Sequence, residues 1–266
     1  MRRFIIALAA AAVLLVLPTA PVIAITNGVI DTEHPNVGAM GIEFGPDARL
    51  FFCSGTLIAP NVFLVAAHCI ADFASFFEPD QFVVTFDDNI FTASTFASAS
   101  AVYFDPAFPG EQNDTHDLGV IILESEVSEW NGIKIEPAEL PPADWLAQQA
   151  AHGGLRNTSF VNVGYGIEAL FKGGPPSFEF DGYRKTSTSP FQALTDAYLK
   201  QLMTSDATHE GGVCILDSGG PKFIPGTHMI VGVQSEGDPR CRAESIAYRL
   251  DTPAARAFLG QFVPLP

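Results

Sequence analysis

The sequence predicts an all-β protein of short strands, arranged as barrels or a sandwich. Three observations predict it. Runs rich in Val, Ile, Leu and Phe, three to six residues long, recur with turn residues between them. Glycine and proline are spread along the whole chain, where they punctuate strands and close turns. Long stretches with apolar residues at helical spacing are few.

The elements follow in chain order. Met1-Arg2-Arg3 is a basic start, Phe4 to Leu17 is almost wholly apolar, Pro18 breaks the run, and Val22-Ile23-Ala24 ends on a small residue. The pattern predicts a secretory signal peptide over 1–24, because the apolar run is shorter than the roughly 20 residues a bilayer requires. The mature chain is expected to be secreted, extracellular or periplasmic, and free of the membrane once cut near Ala24. Strand-like runs then occur at Thr56–Ile58, Phe82–Phe86 and Leu118–Leu123. Glu136-Pro137-Ala138-Glu139-Leu140-Pro141-Pro142 reads as an extended linker, since proline cannot serve a central ladder. Further runs follow at Phe160–Val163 and Met229–Val233. Asp251 to Leu259 reads as a capped helix: Asp251 or Thr252 caps it, Pro253 suits the first turn, and alanines follow. The linker predicts a division into 25–136 and 137–266.

The formal net charge is −16, and loss of residues 1–24 removes Arg2 and Arg3 but no acid. So acidic a surface repels nucleic acid and anionic lipid, which excludes both as partners. Four cysteines allow three pairings, and export permits disulfides. The other use of cysteine, a zinc site, lacks Cys-x-x-Cys or His-x-x-x-His spacing, so no metal or other cofactor is expected. Asp87-Asp88-Asn89 is an acidic turn without a confirmed calcium spacing. Asn113-Asp114-Thr115 and Asn157-Thr158-Ser159 are glycosylation sequons.

The chemistry lies in three short motifs: Ala66-Ala67-His68-Cys69, His116-Asp117-Leu118-Gly119-Val120 and Asp217-Ser218-Gly219-Gly220-Pro221. A neutral serine hydroxyl needs a base to attack, histidine is the base suited to neutral pH, and the imidazolium needs a carboxylate to orient it. Ser218, His68 and Asp117 supply these types, with Asp114 a rival acid three residues upstream of Asp117. Each motif alone reads more simply as a structural histidine, a cap or a tight turn. In this order, His before Asp before Ser, the chain resembles the trypsin/chymotrypsin family of serine proteases from about Ile25 to the C-terminus. Lipases and esterases are disfavoured by the lack of a Gly-x-Ser-x-Gly elbow.

The resemblance implies a chymotrypsin-like fold of two packed antiparallel Greek-key barrels with a short C-terminal helix, His68 and Asp117 in the first and Ser218 in the second. It implies a serine endopeptidase that forms an acyl-enzyme, acts on protein or peptide substrates, meets protein inhibitors and works as a monomer. It selects the pairings Cys53–Cys69 and Cys214–Cys241. It assigns the oxyanion hole to the backbone N–H groups of Leu216 and Ser218, and pairs a freed Ile25 amine with Asp217, so that signal cleavage itself would activate the enzyme. Ser235 matches the serine that bonds the Asp of the triad, although a satisfied strand serine fits the residue equally. The primary pocket would involve Gly212, Val213, Ser235, Glu236, Gly237 and Ile246. Gly212 stands where Lys/Arg-specific members carry Asp, so that specificity is not expected. Ile246 would shorten the pocket toward small or medium apolar side chains. Glu236 and Asp238 would favour basic residues at outer subsites, or are solvated loop charges. Leu216 replaces the usual glycine, so a catalytically weak homologue acting as a binding or adhesion module is the alternative function.

Overall fold

The computed structural model describes residues 25–45, 48–109, 115–170 and 176–266. The expected signal peptide, Asp114 and the Asn113 sequon lie outside them. Among the described residues no helix is long and apolar enough to cross a membrane.

Among the described residues, seventeen strands form two barrels and two small hairpins. The first barrel closes in the order β2-β3-β4-β7-β6-β5, where β2 is Val37–Gly45, β3 Ala48–Ala59, β4 Val62–Val65, β5 Phe82–Thr85, β6 Ala97–Phe104 and β7 Gly119–Leu123. All its pairings are antiparallel. Its interior is apolar: Met40, Ile42, Leu57, Phe63, Val65, Phe82, Val84 and Val120 have no exposed surface. Closure leaves no free edge, which suits a strand-rich chain with this much Phe and Val.

The second barrel uses β10 (Ser159–Gly164), β13 (Lys185–Leu194), β14 (Tyr198–Leu202), β15 (Pro221–Phe223), β16 (Ile230–Gly237) and β17 (Glu244–Arg249). They run in the order β13-β10-β15-β16-β17-β14, and β14 pairs back onto β13. The first strand, β1 (Val29–Ile30), adds to the outer edge of β13. The described residues therefore run along the second barrel at β1 before they build the first. The hairpins are β8 (Glu129–Trp130) with β9 (Ile133–Lys134), and β11 (Glu168–Leu170) with β12 (Ser177–Glu179). The expected linker runs between the barrels without a helix, touching the second through a Glu139–Met229 bridge.

Four short α-helices are also found among the described residues: α1 (His68–Ala71), α2 (Trp145–Ala151), α3 (Ser205–Thr208) and α4 (Pro253–Leu259). The C-terminal helix matches expectation, and its cap is Thr252, whose hydroxyl accepts from Ala255 N–H at 3.2 Å. Asp251 is otherwise engaged. It pairs with Arg249 and accepts from the Leu146 N–H in the first turn of α2 at 2.7 Å.

Arg184 ties the barrels together. Its side chain is almost fully buried on β13's approach. It bonds Asp31 at 3.1 Å, the carbonyls of Val37 and Phe86 in the first barrel, Asp88 at 2.9 Å and the Tyr165 hydroxyl. Burial works against the Asp31 carboxylate, but hydrogen bonds from His34 and the Arg184 charge prevail and hold its pKa below the usual range.

Candidate active site

The cleft between the barrels collects the three motifs. His68 opens α1, directly after β4 and two fully buried alanines, so the helix start aims its ring into the cleft. Asp117 sits just ahead of β7 and has no exposed surface. One Asp117 oxygen accepts the His68 backbone N–H at 3.0 Å; the other meets His68 Nδ1 at 2.9 Å and accepts the Ser235 hydroxyl at 2.5 Å. The carboxylate is therefore held on both oxygens, and it fixes the ring through Nδ1, leaving Nε2 toward the cleft. The turn that presents Asp117 has His116 at φ 78°, with its ring bonded to Asp105 at 2.8 Å. Of the two readings of Ser235, the structure places its hydroxyl on Asp117.

Ser218 is half-buried and lines the same cleft as His68. Its carbonyl accepts from Ser54 N–H at 2.8 Å, which pins the nucleophile segment to β3. Leu216, two residues earlier, adopts φ 75°. That is the left-handed region, where a branched side chain costs about 1–2 kcal/mol relative to glycine. The local support for this conformation comes from Ser54, whose hydroxyl donates to the Leu216 carbonyl at 3.2 Å while accepting the Tyr165 N–H at 3.0 Å. Sequence reasoning missed Ser54. The signal available was the hydroxyl residue directly after Cys53.

Asp217 is buried. Its two oxygens accept N–H groups of Gly166 and Cys214, each at 2.8 Å. A Cβ on Gly164 or Gly166 would stand 2.3 Å from this carboxyl group, so both glycines are needed for its approach. Burial pushes its pKa up to about 7, against the pull of those N–H groups and of Lys222. Ile25 has no exposed surface, and the next residue, Thr26, bridges to Gly212.

The disulfides Cys53–Cys69 and Cys214–Cys241 have Cα separations of 6.3 and 5.0 Å. The first clamps the loop that carries His68; the second joins the Ser218 segment to the loop after β16. Cys53, His68 and Cys69 cluster tightly enough to suggest a metal, but both sulfurs are consumed in the disulfide and offer no thiolate.

The profile of the trypsin family, described as Trypsin, matches residues 31–257. The chain belongs to the trypsin family. It is accordingly a serine endopeptidase, and peptides or proteins are its substrates. A curated trypsin from Saccharopolyspora erythraea is 29% identical over 211 residues, covering 77% of this chain and 82% of that one. A solved structure of HL collagenase aligns with a TM-score of 0.65 over 89% of this chain and 97% of that chain, at 17% identity, a likeness of fold.

In this trypsin-family chain the cleft measures about 450 Å³ and is walled by Val213, the Cys214–Cys241 disulfide, Gln234, Ser235, Glu236 and Gly237, with Phe52 and Phe73 at its far end. Two expected pocket residues are not on that wall. Gly212 packs against Met203, whose Cγ is 2.5 Å from the position a Gly212 Cβ would take. Ile246, on β17, is half-exposed and is not among the residues that line the cleft; its neighbour Ser245 is buried in the barrel and bonds Gln234 at 2.7 Å. Asp87 accepts from Trp130, Asn131 and Ser94, and Asp88 pairs with Arg184.

Proposed function

We propose that this is a secreted serine endopeptidase whose triad is Ser218, His68 and Asp117, with the barrels dividing near the linker at residue 136. The observation that carries the reading is the state of Asp117: fully buried, bonded twice to His68 and once to Ser235, beside the cleft that Ser218 lines. A buried carboxylate so engaged orients the imidazole and offsets the charge that forms on it. Ser218 Oγ attacks the scissile carbonyl while His68 Nε2 takes its proton. The resulting oxyanion is met by the backbone N–H groups of Leu216 and Ser218. His68 then returns the proton to the departing amine, and water repeats the sequence to release the acyl group.

Secretion is supported by the basic and apolar start, by two disulfides and by the strong negative charge. Cleavage after Ala24 would free an amine at Ile25 to pair with Asp217. The binding-module alternative rests on Leu216. The left-handed backbone there, backed by Ser54, favours a competent hole over a collapsed one. Gly212 speaks against Lys or Arg specificity. The test is a fluorophosphonate added to the secreted protein, followed by intact and peptide mass spectrometry. A stoichiometric adduct on Ser218, absent in His68→Ala, is expected. A folded chain that starts at Ile25 and takes no adduct would turn the reading toward the binding module.

A further inference from the structure

The second barrel is filled unlike the first. Asn162, Ser189, Gln201, Lys222 and Ser245 are all fully buried inside it. Burying an ammonium group is expensive, and apolar residues of similar volume would fill the space at lower cost. The cost therefore calls for a use. Lys222 Nζ donates to Asn162 Oδ1 at 2.7 Å and to Ser245 Oγ at 3.1 Å. Ser245 Oγ donates to Gln234 Oε1 at 2.7 Å, and Gln234 Nε2 donates to the Glu236 carbonyl at 2.6 Å. Gln234 and Glu236 both line the substrate cleft.

The direction of this chain follows from the groups themselves. An ammonium only donates, so Ser245 accepts from it and passes its single proton to Gln234 Oε1. A backbone carbonyl only accepts, so it must face Gln234 Nε2. Every bond thus points its positive end from Lys222 toward the cleft, and each polarises the next. One hydrogen of Gln234 Nε2 is used on Glu236, and the amide carries a second. Gly212, in the segment that leads to Ser218, brings no carboxylate to the cleft. The opposing charges, Glu236 and Asp238, lie at the half-exposed rim, where solvent and salt screen them. Burial draws the Lys222 pKa down to about 7, with Asp217 opposing the fall. An anion seated above it would keep the proton on.

We infer that Lys222, acting through Ser245 and Gln234, makes the primary pocket select a side chain tipped by a carboxylate or carbonyl oxygen, glutamate first and glutamine second. This rests on the endopeptidase reading of the same cleft. It replaces the small or medium apolar preference that Ile246 suggested, since Ile246 is not in the pocket.

The experiment uses processed enzyme, one portion of which is labelled at Ser218 with fluorophosphonate to count active sites while the unlabelled remainder is kept for kinetics. Fluorogenic peptides identical except for Glu, Gln, Leu or Lys at the residue before the cleaved bond are then compared by kcat/KM. The expected order is Glu, Gln, then Leu and Lys, with Glu over Leu by about tenfold or more. Lys222→Met and Gln234→Val should each lower the Glu-to-Leu ratio by about tenfold. Leu or Lys leading in the wild type overturns the assignment, and that ranking holds even if both variants misfold. An unchanged ratio in folded Lys222→Met also overturns it. A folded, processed chain that takes no label fails at the endopeptidase reading, and the assignment falls with it. A chain that labels but ranks Leu first loses the assignment alone.

Discussion

Leu216 and Ser54 form a trade at the scale of single residues. Glycine would take φ 75° without penalty, whereas Leu216 holds it at a cost of about 1–2 kcal/mol. The Ser54 hydroxyl holds the Leu216 carbonyl and so sets the direction of the peptide groups in that loop. Leu216→Gly should raise stability by about 1 kcal/mol, read as an upward shift in the denaturation midpoint, with kcat retained. Ser54→Ala removes the clamp and leaves the Tyr165 N–H and the Leu216 carbonyl without it. Its kcat should fall about 10- to 100-fold with KM little changed, a smaller loss than deletion of an oxyanion donor. A Ser54→Ala enzyme with wild-type kcat would mean that the loop holds its shape unaided. Asp117→Asn keeps the size of the side chain but permits the wrong imidazole tautomer. Its kcat should drop by about 10⁴-fold, measured by steady-state hydrolysis against active-site-titrated wild type.

Elements show which parts of the structure were legible beforehand. Strand runs such as Phe82–Thr85, Gly119–Leu123 and Ile230–Val233 were visible because their apolar residues are local signals, and so was the capped helix α4. His68, Asp117 and Ser218 were visible as short motifs, and their cysteines came with them. Helix α2 was not. Its N-terminal residue Asp144 sits at φ 56° without capping it, and the acceptor for its first turn is Asp251, 105 residues away from Leu146. Ile246 was assigned to the pocket by its place two residues before Tyr248; position along a strand does not by itself show which residues wall a cleft, and Ile246 is not among those that do. Lys222 gave no warning, since a lysine between Pro221 and Phe223 looks like a surface residue until the barrel closes around it. The same loops give an element-scale prediction. Replacing Cys214 and Cys241 with Ala opens a link spanning 27 residues and should cost on the order of 3 kcal/mol by denaturant melting. Because both sulfurs line the cleft, kcat/KM should fall in that variant even below its melting temperature.

Across the whole molecule, the proposed processing after Ala24 would link the chain's new terminus to the titration of Asp217. The Asp217 carboxyl group is buried with two backbone N–H donors and titrates near 7, well above an unfolded aspartate near 3.8. The folded state therefore holds a proton that the unfolded state has released between those values. Stability from this group is complete below about pH 4, declines as pH rises toward 7 and is level above. Lys222 acts in a different window. Burial lowers its pKa from 10.5 to about 7, so its cost is greatest below 7 and fades as pH rises toward 10.5. If a freed Ile25 amine pairs with Asp217, the folded carboxylate is stabilised and the decline between 4 and 7 disappears. Two chains separate these effects, one beginning at Ile25 and one retaining Ile23-Ala24 ahead of it. Their melting temperatures should agree near pH 4 and diverge steadily up to pH 7, with the processed chain higher. The extended chain should also be inactive at neutral pH, because leaving one partner of a buried pair unmatched costs about 3–5 kcal/mol, enough to unmake the segment next to Ser218. A constant melting difference across the range, or full activity in the extended chain, would separate activation from the Ile25 terminus and leave Asp217 as a carboxyl group held by the Gly166 and Cys214 N–H groups alone.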